Sequence, residues 1–376
     1  MKAMTVPAAT AFLDRRLTKR FDVPLALLTL SITALGLAAL HTIEVDGALP
    51  YFRKQLAFAL VGLIVMVSMA LLGHERFQRH LRAVYVLNLV LLAAVLITGH
   101  EAKGSVRWFA ISQFRLQPSE LAKLFIILTL STLFYRYRER IDRPVTVVRS
   151  LAHIAVPLIL ILKQPDLGTT LAIGGIWFGM AFIAGVPLRY LAVVVLCAVA
   201  LFGLMVKLSF VRDYQLQRLL VFVNPSNDPR GAGYQVNQAR IAIGSGRVFG
   251  KGLGRGTQSQ GEFIPERQTD FIFTVIAEEG GFLLSTITVV LYAALVLRGW
   301  HLVAHAGDEL GRNVGAGVLS MITFHGLVNM AMNVGLGPVT GVPLPLVSYG
   351  GSSLIVTMAG IGLLLGIGMR RDPLVF

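Results

Sequence analysis

Residues 23–40 read VPLALLTLSITALGLAAL, eighteen positions without a charged side chain. A helix needs about 20 apolar residues to cross a hydrocarbon core about 30 Å thick. Similar apolar blocks recur along the chain. One of them, residues 151–162, is short enough for a re-entrant segment or for a helix that extends into its polar flanks. The pattern predicts an all-α polytopic membrane protein with about ten transmembrane helices. The other blocks are 56–72, 83–99, 121–135, 151–162, 167–184, 190–208, 271–297, 314–334 and 351–368.

The overall composition agrees with a membrane protein. Of 376 residues, 55% are hydrophobic and only 14% are charged, against about 25% charged in soluble domains. The one cysteine, Cys197, lies in a predicted span, so an internal disulfide is excluded. We expect no cleavable signal peptide, because residues 1–22 are too long and charged and no small-residue cleavage site follows the first span. Residues 1–376 are interpreted as a single transmembrane domain.

The net charge of +14 is explained by topology rather than by nucleic-acid binding. Eighteen Lys and Arg residues lie in segments 1–22, 73–82, 136–150, 185–189, 298–313 and 369–376, whereas the short segments between them carry six. Cytoplasmic loops carry an excess of cations. The sequence therefore predicts a cytoplasmic (inner) membrane protein with both termini, including residues 1–22, in the cytoplasm.

Residues 208–270 form the one long interruption, between predicted helices 7 and 8. Long loops obey the charge rule poorly, so the nine cations of 207–270 need not concern topology. Residues 210–222 mix apolar and polar side chains as an interfacial helix does, and glycine-rich turns follow. We predict a large, structured extracytoplasmic loop.

Several chemistries are excluded by spacing. Lys251 follows Gly250, but Gly252 stands where a phosphate-binding loop requires Ser or Thr. A dinucleotide fingerprint, an HExxH motif and a Cys/His cluster are absent from the sequence, which argues against nucleotide-driven and zinc chemistry. His325, inside a span, is interpreted as a packed or hydrogen-bonded residue rather than a proton relay.

Charged residues at the predicted outer surface are the candidates for chemistry. Glu120 and Lys123 are spaced to share one helix face, either as a structural ion pair or in a substrate cavity. Asp166 lies in a short turn and either caps the next helix or lines the cavity. Asp270 stands where a polar loop enters an apolar run; a partly desolvated carboxylate there has a raised pKa, which suits a general base. From position alone, a helix N-cap is the simpler interpretation of Asp270.

The same residues occur in ordered motifs that resemble the SEDS family (shape, elongation, division and sporulation proteins), most closely its elongation branch. The motifs are KGSVRW at 103–108, QPSELAK at 117–123, QPDLGT at 164–169, GAGYQ at 231–235, IAIGSG at 241–246, GTQSQ at 256–260, PERQTDFIF at 265–273, EEG at 278–280, GPVTGVPLP at 337–345 and SYGGS at 348–352.

The resemblance implies a ten-span fold and a peptidoglycan glycosyltransferase that joins lipid II into β-1,4 glycan strands during cell elongation. It implies that Asp270 is the essential acid and that Glu120, Lys123 and Asp166 line a central cavity. Partners would be a class B penicillin-binding protein, other elongation-complex membrane proteins and the lipid bilayer. Further candidates for substrate binding are Arg107 and Trp108 of the first motif and the loop cations Arg240, Arg255 and Arg267.

Alternatives and departures remain open. A divalent cation, Mg²⁺ or Mn²⁺, held by Asp270 competes with the general-base role; no cofactor is otherwise implied. A lipid II flippase or a scaffold for the transpeptidase would also carry these residues. Gln268 replaces a histidine common in relatives, which excludes a histidine base there, and Arg247 replaces a frequent glycine.

Overall fold

The computed structural model describes residues 20–43, 50–102, 105–111, 114–208, 216, 218, 221–222, 228 and 231–370. Most of the predicted interfacial helix 210–222 and most of residues 1–22 lie outside these ranges. Short helical turns occur at Glu75–Gln78, Arg138–Arg140 and Thr257–Gln260. The main elements are α1 Val23–Thr42, α2 Pro50–Leu72, α3 Leu81–Thr98, β1 His100–Ala102, β2 Ser105–Ile111, β3 Phe114–Leu116, α4 Pro118–Arg136, α5 Pro144–Lys163, α6 Leu167–Ile183, α7 Leu188–Lys207, α8 Ala232–Gly246, α9 Ile272–Ala304, α10 Glu309–Asn333 and α11 Gly351–Met369.

The prediction of about ten spanning helices is confirmed for the described chain. Nine helices are long and apolar enough to cross a membrane, and the shorter apolar helix α6 is the tenth. The block predicted to be weakest, 151–162, belongs to the complete 20-residue helix α5. That helix extends into its polar N-terminal flank from Pro144, a residue favoured in the first turn of a helix.

A small sheet between α3 and α4 was not predicted. Strands β1, β2 and β3 form an antiparallel meander in that order. Phe109 pairs with Leu116 and His100 with Trp108. Two of the strands are three residues long, too short to show the alternation of apolar and polar residues that predicts a strand. Strand β2 contains the last four residues of the KGSVRW motif, Ser105 to Trp108, and lies at one end of the bundle.

The helices divide into central and peripheral ones. Helices α4, α10 and α11 are mostly buried. In the most apolar stretch of α11, 89% of the residues are buried. In the most apolar stretch of helix α7, only 6% of the residues are buried, and Leu191 is the one fully buried residue of this helix. Because lipid tails are as apolar as leucine, the exposed face of α7 is compatible with a bilayer. The polar residues considered below lie on or beside the central helices.

Helix α9 is interrupted near its start, at Gly281, where φ is 66° and ψ is −162°. The backbone of residues 247–252 fills the interruption: Phe282 and Leu283 donate N–H bonds to the carbonyls of Arg247 and Val248, at 2.8 and 3.0 Å. A Cβ at Gly281 would lie 2.2 Å from the nitrogen of Gly250. Glycine is therefore required for this close approach, which joins the described part of the 208–270 loop to the bundle.

Contacts between loops place them at two opposite ends of the bundle. One end joins α1 and α9 through an ion pair of Asp22 and Arg298, at 2.7 Å, and includes a bond of 2.7 Å from Arg370 to the carbonyl of Leu71. We call the other end the site end, defined by residues 100–102, 105–111, 114–117, 164–169, 231–271 and 334–350. The candidate residues Arg107, Asp166 and Asp270 all lie at the site end.

Candidate functional site

Asp270 lies at the entrance to helix α9. It is half-buried, while its neighbour Phe271 is completely buried in a small apolar cluster with Val236 of α8 and Val339. The N-cap of α9 is Phe271, and its side chain makes no cap bond. The N-cap interpretation of Asp270 is therefore wrong: the polar-to-apolar boundary in the sequence marks an anchored phenylalanine, and the aspartate stands outside the helix.

The main chain around Asp270 is fixed by hydrogen bonds from distant residues. The carbonyl of Gln268 accepts the N–H of Tyr349 at 2.8 Å. The carbonyl of Thr269 accepts the hydroxyl of Ser348 at 2.6 Å. Two residues of the SYGGS motif at 348–352 thus hold the end of the PERQTDFIF motif that carries Asp270.

The segment 340–342 forms the wall beside Asp270. A Cβ at Gly341 would lie 3.6 Å from an Asp270 carboxylate oxygen and 3.7 Å from a guanidinium nitrogen of Arg218. Gly341 has a φ of +72°, a region that favours glycine. A carboxylate and a cation therefore converge on a main chain that has no side chain to separate them.

Asp166 is the N-cap of helix α6. Its side chain accepts the N–H of Thr169 at 3.1 Å and the hydroxyl of the same residue at 2.9 Å. It also accepts bonds from Gln117 and Ser119 at the start of α4, at 3.1 and 3.2 Å. Asp166 is 5% exposed. The helix-capping alternative is confirmed, and the same carboxylate joins α6 to the QPSELAK motif.

Glu120 and Lys123 form a buried pair at 2.9 Å. The Lys123 ammonium also contacts Nε2 of His325 at 2.9 Å, while Nδ1 of His325 lies 2.8 Å from the carbonyl of Met321. Since a carbonyl only accepts, Nδ1 carries the proton and Nε2 accepts from Lys123. His325 is therefore hydrogen-bonded, as predicted. The second Glu120 oxygen is buried without a hydrogen-bond partner among the described residues.

The two groups of acids share the segment 340–342. A Cβ at Gly168, two residues after Asp166, would lie 2.9 Å from the carbonyl of Thr340. Asp270 approaches the same segment at Gly341. The Asp166 cap and Asp270 therefore flank one stretch of backbone, which brings the predicted residues of both motifs to one region of the site end.

Arg107 and Arg267 are occupied by the backbone of loops. Arg107 donates to the carbonyls of Gln164, at 2.8 Å, and Pro165. Arg267 is 5% exposed and donates to the carbonyl of Ser259 at 2.6 Å and to Glu262 at 3.0 Å. Both stabilise turns of the site end.

Trp108, Arg240 and Arg255 are more accessible. Trp108 is partly exposed on β2, and Arg255 is exposed in the turn before Thr257–Gln260. Arg240 is exposed on α8 and donates to the carbonyl of Gly335 at 3.1 Å. It lines a small crevice with Gly335, Gly337, Pro338 and Val339, so it is near the GPVTGVPLP motif.

The position of Lys251, which follows Gly250 as the lysine of a phosphate-binding loop follows a glycine, is accounted for by its contact with Glu278. The Glu278 carboxylate is completely buried and pairs with Lys251 at 2.8 Å. It also accepts the N–H groups of Gln258 and Ser259, both at 2.9 Å. An anion at the N-terminus of a helical turn is favourable. Lys251 is therefore a partner of an internal carboxylate.

Comparisons with known proteins show the family to which the chain belongs. The family model described as "Cell cycle protein", which covers FtsW, RodA and SpoVE, matches residues 23–372. The chain belongs to this family, the SEDS family. Peptidoglycan glycosyltransferase MrdB of Escherichia coli K12 is 40% identical over 84% of each chain. Peptidoglycan glycosyltransferase RodA of Treponema pallidum is 31% identical over 93% of this chain and 98% of its own.

Solved structures of SEDS proteins are similar in fold. One, from a study of how a peptidoglycan synthase complex coordinates polymerization and crosslinking, has a TM-score of 0.77 and 32% identity, over 94% of this chain and 99% of its own. Rod shape determining protein RodA of Thermus thermophilus has a TM-score of 0.70 and 30% identity, over 94% of this chain and 98% of its own.

The volume of clefts does not locate the chemistry of this SEDS protein. A cleft of about 470 Å³ at the site end is lined by residues of α1, by Phe52 and by the 253–260 turn, including His41 and Gln260. None of the residues that line it carries a carboxylate, so the cleft provides no Asp or Glu that could act as a general base. Gln260 connects it to the bundle by donating to the carbonyl of Thr42 at 2.6 Å.

Among the described residues, no group of three His, Cys, Asp or Glu side chains around Asp270 is close enough to hold an ion by itself. Among the residues that the structure describes, the group of His, Asp and Glu close enough to share an ion is His74, Glu75 and Asp308. That group lies at the opposite end of the bundle. Mg²⁺ is usually held by one or two carboxylates together with substrate phosphates, so Asp270 would need the substrate to complete a site.

Sequence reasoning missed three residues near Asp270: Arg218, Asn329 and Asn333. Arg218 was one of nine loop cations with nothing to distinguish it. The two asparagines did have a signal, because they continue from His325 at intervals of four along an otherwise apolar span. Polar side chains within a span are costly and usually functional.

Proposed function

We propose that this chain is a peptidoglycan glycosyltransferase that polymerises lipid II, with Asp270 as the general base. The observation that carries the proposal is the position of Asp270: a half-buried carboxylate at the site end, beside Gly341 and the cation of Arg218. The names of the SEDS relatives MrdB and RodA support the reaction.

The reaction needs one displacement. The 4-hydroxyl of a GlcNAc on one lipid II gives its proton to the Asp270 carboxylate as its oxygen bonds to the anomeric carbon of MurNAc on another. The bond from that carbon to the diphosphate breaks, and polyprenyl diphosphate leaves with the electron pair. An α-diphosphate becomes a β-1,4 link, so the centre inverts and no enzyme nucleophile is required. General-base assistance of this kind contributes about 10²–10⁴-fold.

The leaving diphosphate requires positive charge as it departs. Arg218 is our first candidate, since its guanidinium lies near the same Gly341 backbone as Asp270. Arg240, exposed on α8 beside Gly335, is the second. A divalent cation bound jointly by Asp270 and the diphosphate is the alternative, and a chelator distinguishes the two.

The cellular setting follows from the charge asymmetry of the sequence. Both termini would be cytoplasmic, and the site end would face the outside of the cytoplasmic membrane. A class B penicillin-binding protein would supply the transpeptidase, since one similar structure comes from a peptidoglycan synthase complex. The GTQSQ and GPVTGVPLP motifs favour the elongation complex and its membrane proteins.

A lipid II flippase is the second candidate function. The buried Glu120, Lys123 and His325 network supports it, because ionisable groups inside a bundle often line transport paths. Only the glycosyltransferase forms a glycosidic bond. That reaction can be measured in detergent, where no membrane separates two compartments.

The test is a gel assay for glycan product with purified protein and lipid II in detergent. We expect polymer from the wild type, with and without a class B penicillin-binding protein, and loss of polymer in Asp270→Asn. Loss of product on adding a chelator would mean that Asp270 binds a metal ion and is not the general base. Wild-type protein that makes no polymer under any of these conditions, but moves lipid II across vesicles, would establish the flippase.

A further inference from the structure

Two asparagines of helix α10 hold the main chain of Asp270. Asn329 and Asn333 have no exposed surface. Their Nδ2 atoms both donate to the carbonyl oxygen of Asp270, each at 2.9 Å. A buried amide without partners costs several kcal/mol, so two such residues in a membrane span require a specific reason.

Each amide also holds a second segment. Asn329 donates to the carbonyl of Val342 at 2.8 Å. The oxygen of Asn333 accepts the N–H and hydroxyl of Thr274, at 3.1 and 2.6 Å. The first turn of α9, the Asp270 carbonyl and the wall at 340–342 are therefore fixed relative to one another by two side chains.

The asparagines complete a row of three held carbonyls. Together with the bonds from Tyr349 to Gln268 and from Ser348 to Thr269, consecutive carbonyls at 268, 269 and 270 all accept hydrogen bonds from distant residues. We call Asn329, Asn333, Ser348 and Tyr349 the carbonyl clamp. Three fixed peptide groups leave the Asp270 side chain with only its own torsions to adjust.

We propose that Asn329 and Asn333 are positioning residues, which set the place of the Asp270 carboxylate against the Gly341 wall. The inference rests on the proposed function, because it presupposes that the Asp270 carboxylate takes a proton. A catalytic group displaced by about 1 Å can lose about 10²-fold in rate. Neither asparagine needs to contact the substrate to have this effect.

Asn313 supplies a matched comparison on the same helix. It is also buried, at 5% exposure, but its side-chain oxygen has no hydrogen-bond partner among the described residues. It lies near the start of α10, at the end of the bundle opposite to Asp270. Asn313→Ala therefore removes a buried amide of the same size without changing the clamp.

The experiment measures kcat, KM for lipid II and the thermal midpoint of purified Asn329→Ala, Asn333→Ala and Asn313→Ala. We expect kcat to fall about 10²-fold in the first two variants, with KM within about threefold. That pattern identifies an interaction that acts in the transition state. Asn313→Ala should retain a kcat close to the wild type.

A loss of kcat in Asn313→Ala equal to that of the other two would reduce the effect to general destabilisation and overturn the inference. So would wild-type kcat in folded Asn329→Ala and Asn333→Ala. If either variant fails to fold, Ser348→Ala decides, since it removes one bond of the clamp together with the acceptor of the Leu344 N–H; about a tenfold fall in kcat is expected, and no fall overturns the inference.

The same assay separates this inference from the proposed function. Polymer made by Asp270→Asn would show that Asp270 is not the general base, which overturns the proposed function as well. An inactive Asp270→Asn together with fully active Asn329→Ala and Asn333→Ala would leave the base in place and remove only the positioning role.

Discussion

Asp270 and Glu278 are two acids eight residues apart in one stretch of shared family motifs, and they differ in burial and in the bonds that fix the chain around them. Asp270 is fixed through its main chain, by the carbonyl clamp, and is half-buried. Glu278 is fixed through its carboxylate, which is completely buried against Lys251 and two backbone N–H groups. A carboxylate saturated by internal donors is unsuited to take a proton from substrate. The way an acid is held therefore indicates its role better than its presence in a motif.

Glu120 tests whether an internal acid of this class serves stability. Lys123→Met removes its partner and leaves a buried charge, so we expect the free energy of unfolding to fall by about 3–5 kcal/mol. SDS-induced unfolding in detergent micelles measures the change. The double variant Glu120→Gln, Lys123→Met should recover most of it; a double variant as unstable as the single one would contradict the pairing.

Glu278 itself provides the next largest effect. Glu278→Gln weakens charge-assisted bonds to Lys251 and to the 258–259 backbone, and hydrogen bonds to charged groups contribute about 1.5–3 kcal/mol. We expect a loss of about 2–3 kcal/mol and faster proteolysis of residues 247–260. Glu309→Gln is the control, since Glu309 and its partner Arg138 are 45% and 48% exposed and an exposed pair contributes about 0–1 kcal/mol. Equal losses would remove the distinction between the two kinds of acid.

Arg247 sharpens the comparison in the loop that pairs with α9. Its φ is 49° and its ψ −138°, a conformation that is costly for a residue with a Cβ, at about 1–3 kcal/mol. Arg247→Gly should therefore raise the unfolding free energy by about 1 kcal/mol, whereas Arg255→Gly, where φ is not positive, should not raise it. A destabilised Arg247→Gly would mean that the side chain stabilises the loop by more than the strain costs.

The smallest effect concerns Asp308, an acid at the opposite end of the bundle. A hydrogen bond with His74 lowers the pKa of Asp308, against desolvation, which raises it. Because the folded pKa is the lower one, its contribution to stability is present above the unfolded pKa of about 4 and is lost as pH falls through the folded value. Asp308→Asn keeps a helix-capping oxygen but should flatten this acid limb of the stability profile between about pH 5 and 3. An unchanged limb would assign it to other carboxylates.

The sequence predicted the fold well because hydrophobic blocks report directly on bilayer crossing. It placed ten spans and gathered Arg107, Asp166 and Asp270 through family motifs. The block 151–162 left a re-entrant segment and an extended helix as alternatives, and α5 is the extended helix, since it begins at Pro144. The three short strands gave no periodic signal.

The site was less predictable because its bonds join distant residues. Asn329 and Asn333 reach Asp270 across 59 and 63 positions, and no local pattern reports such a partner. The sequence could not decide whether Asp166 caps a helix, because capping and cavity roles use the same residue type. Arg247 is the reverse case: its departure from a frequent glycine was visible in the sequence, and a positive φ gives it a physical meaning.

The most direct measurement compares lipid II binding and polymerisation in Asp270→Asn. Binding should stay within about threefold of the wild type, while the polymerisation rate should fall by about 10²–10⁴-fold, the share that a general base supplies. Polymer formed at the wild-type rate by a folded Asp270→Asn protein would contradict the account.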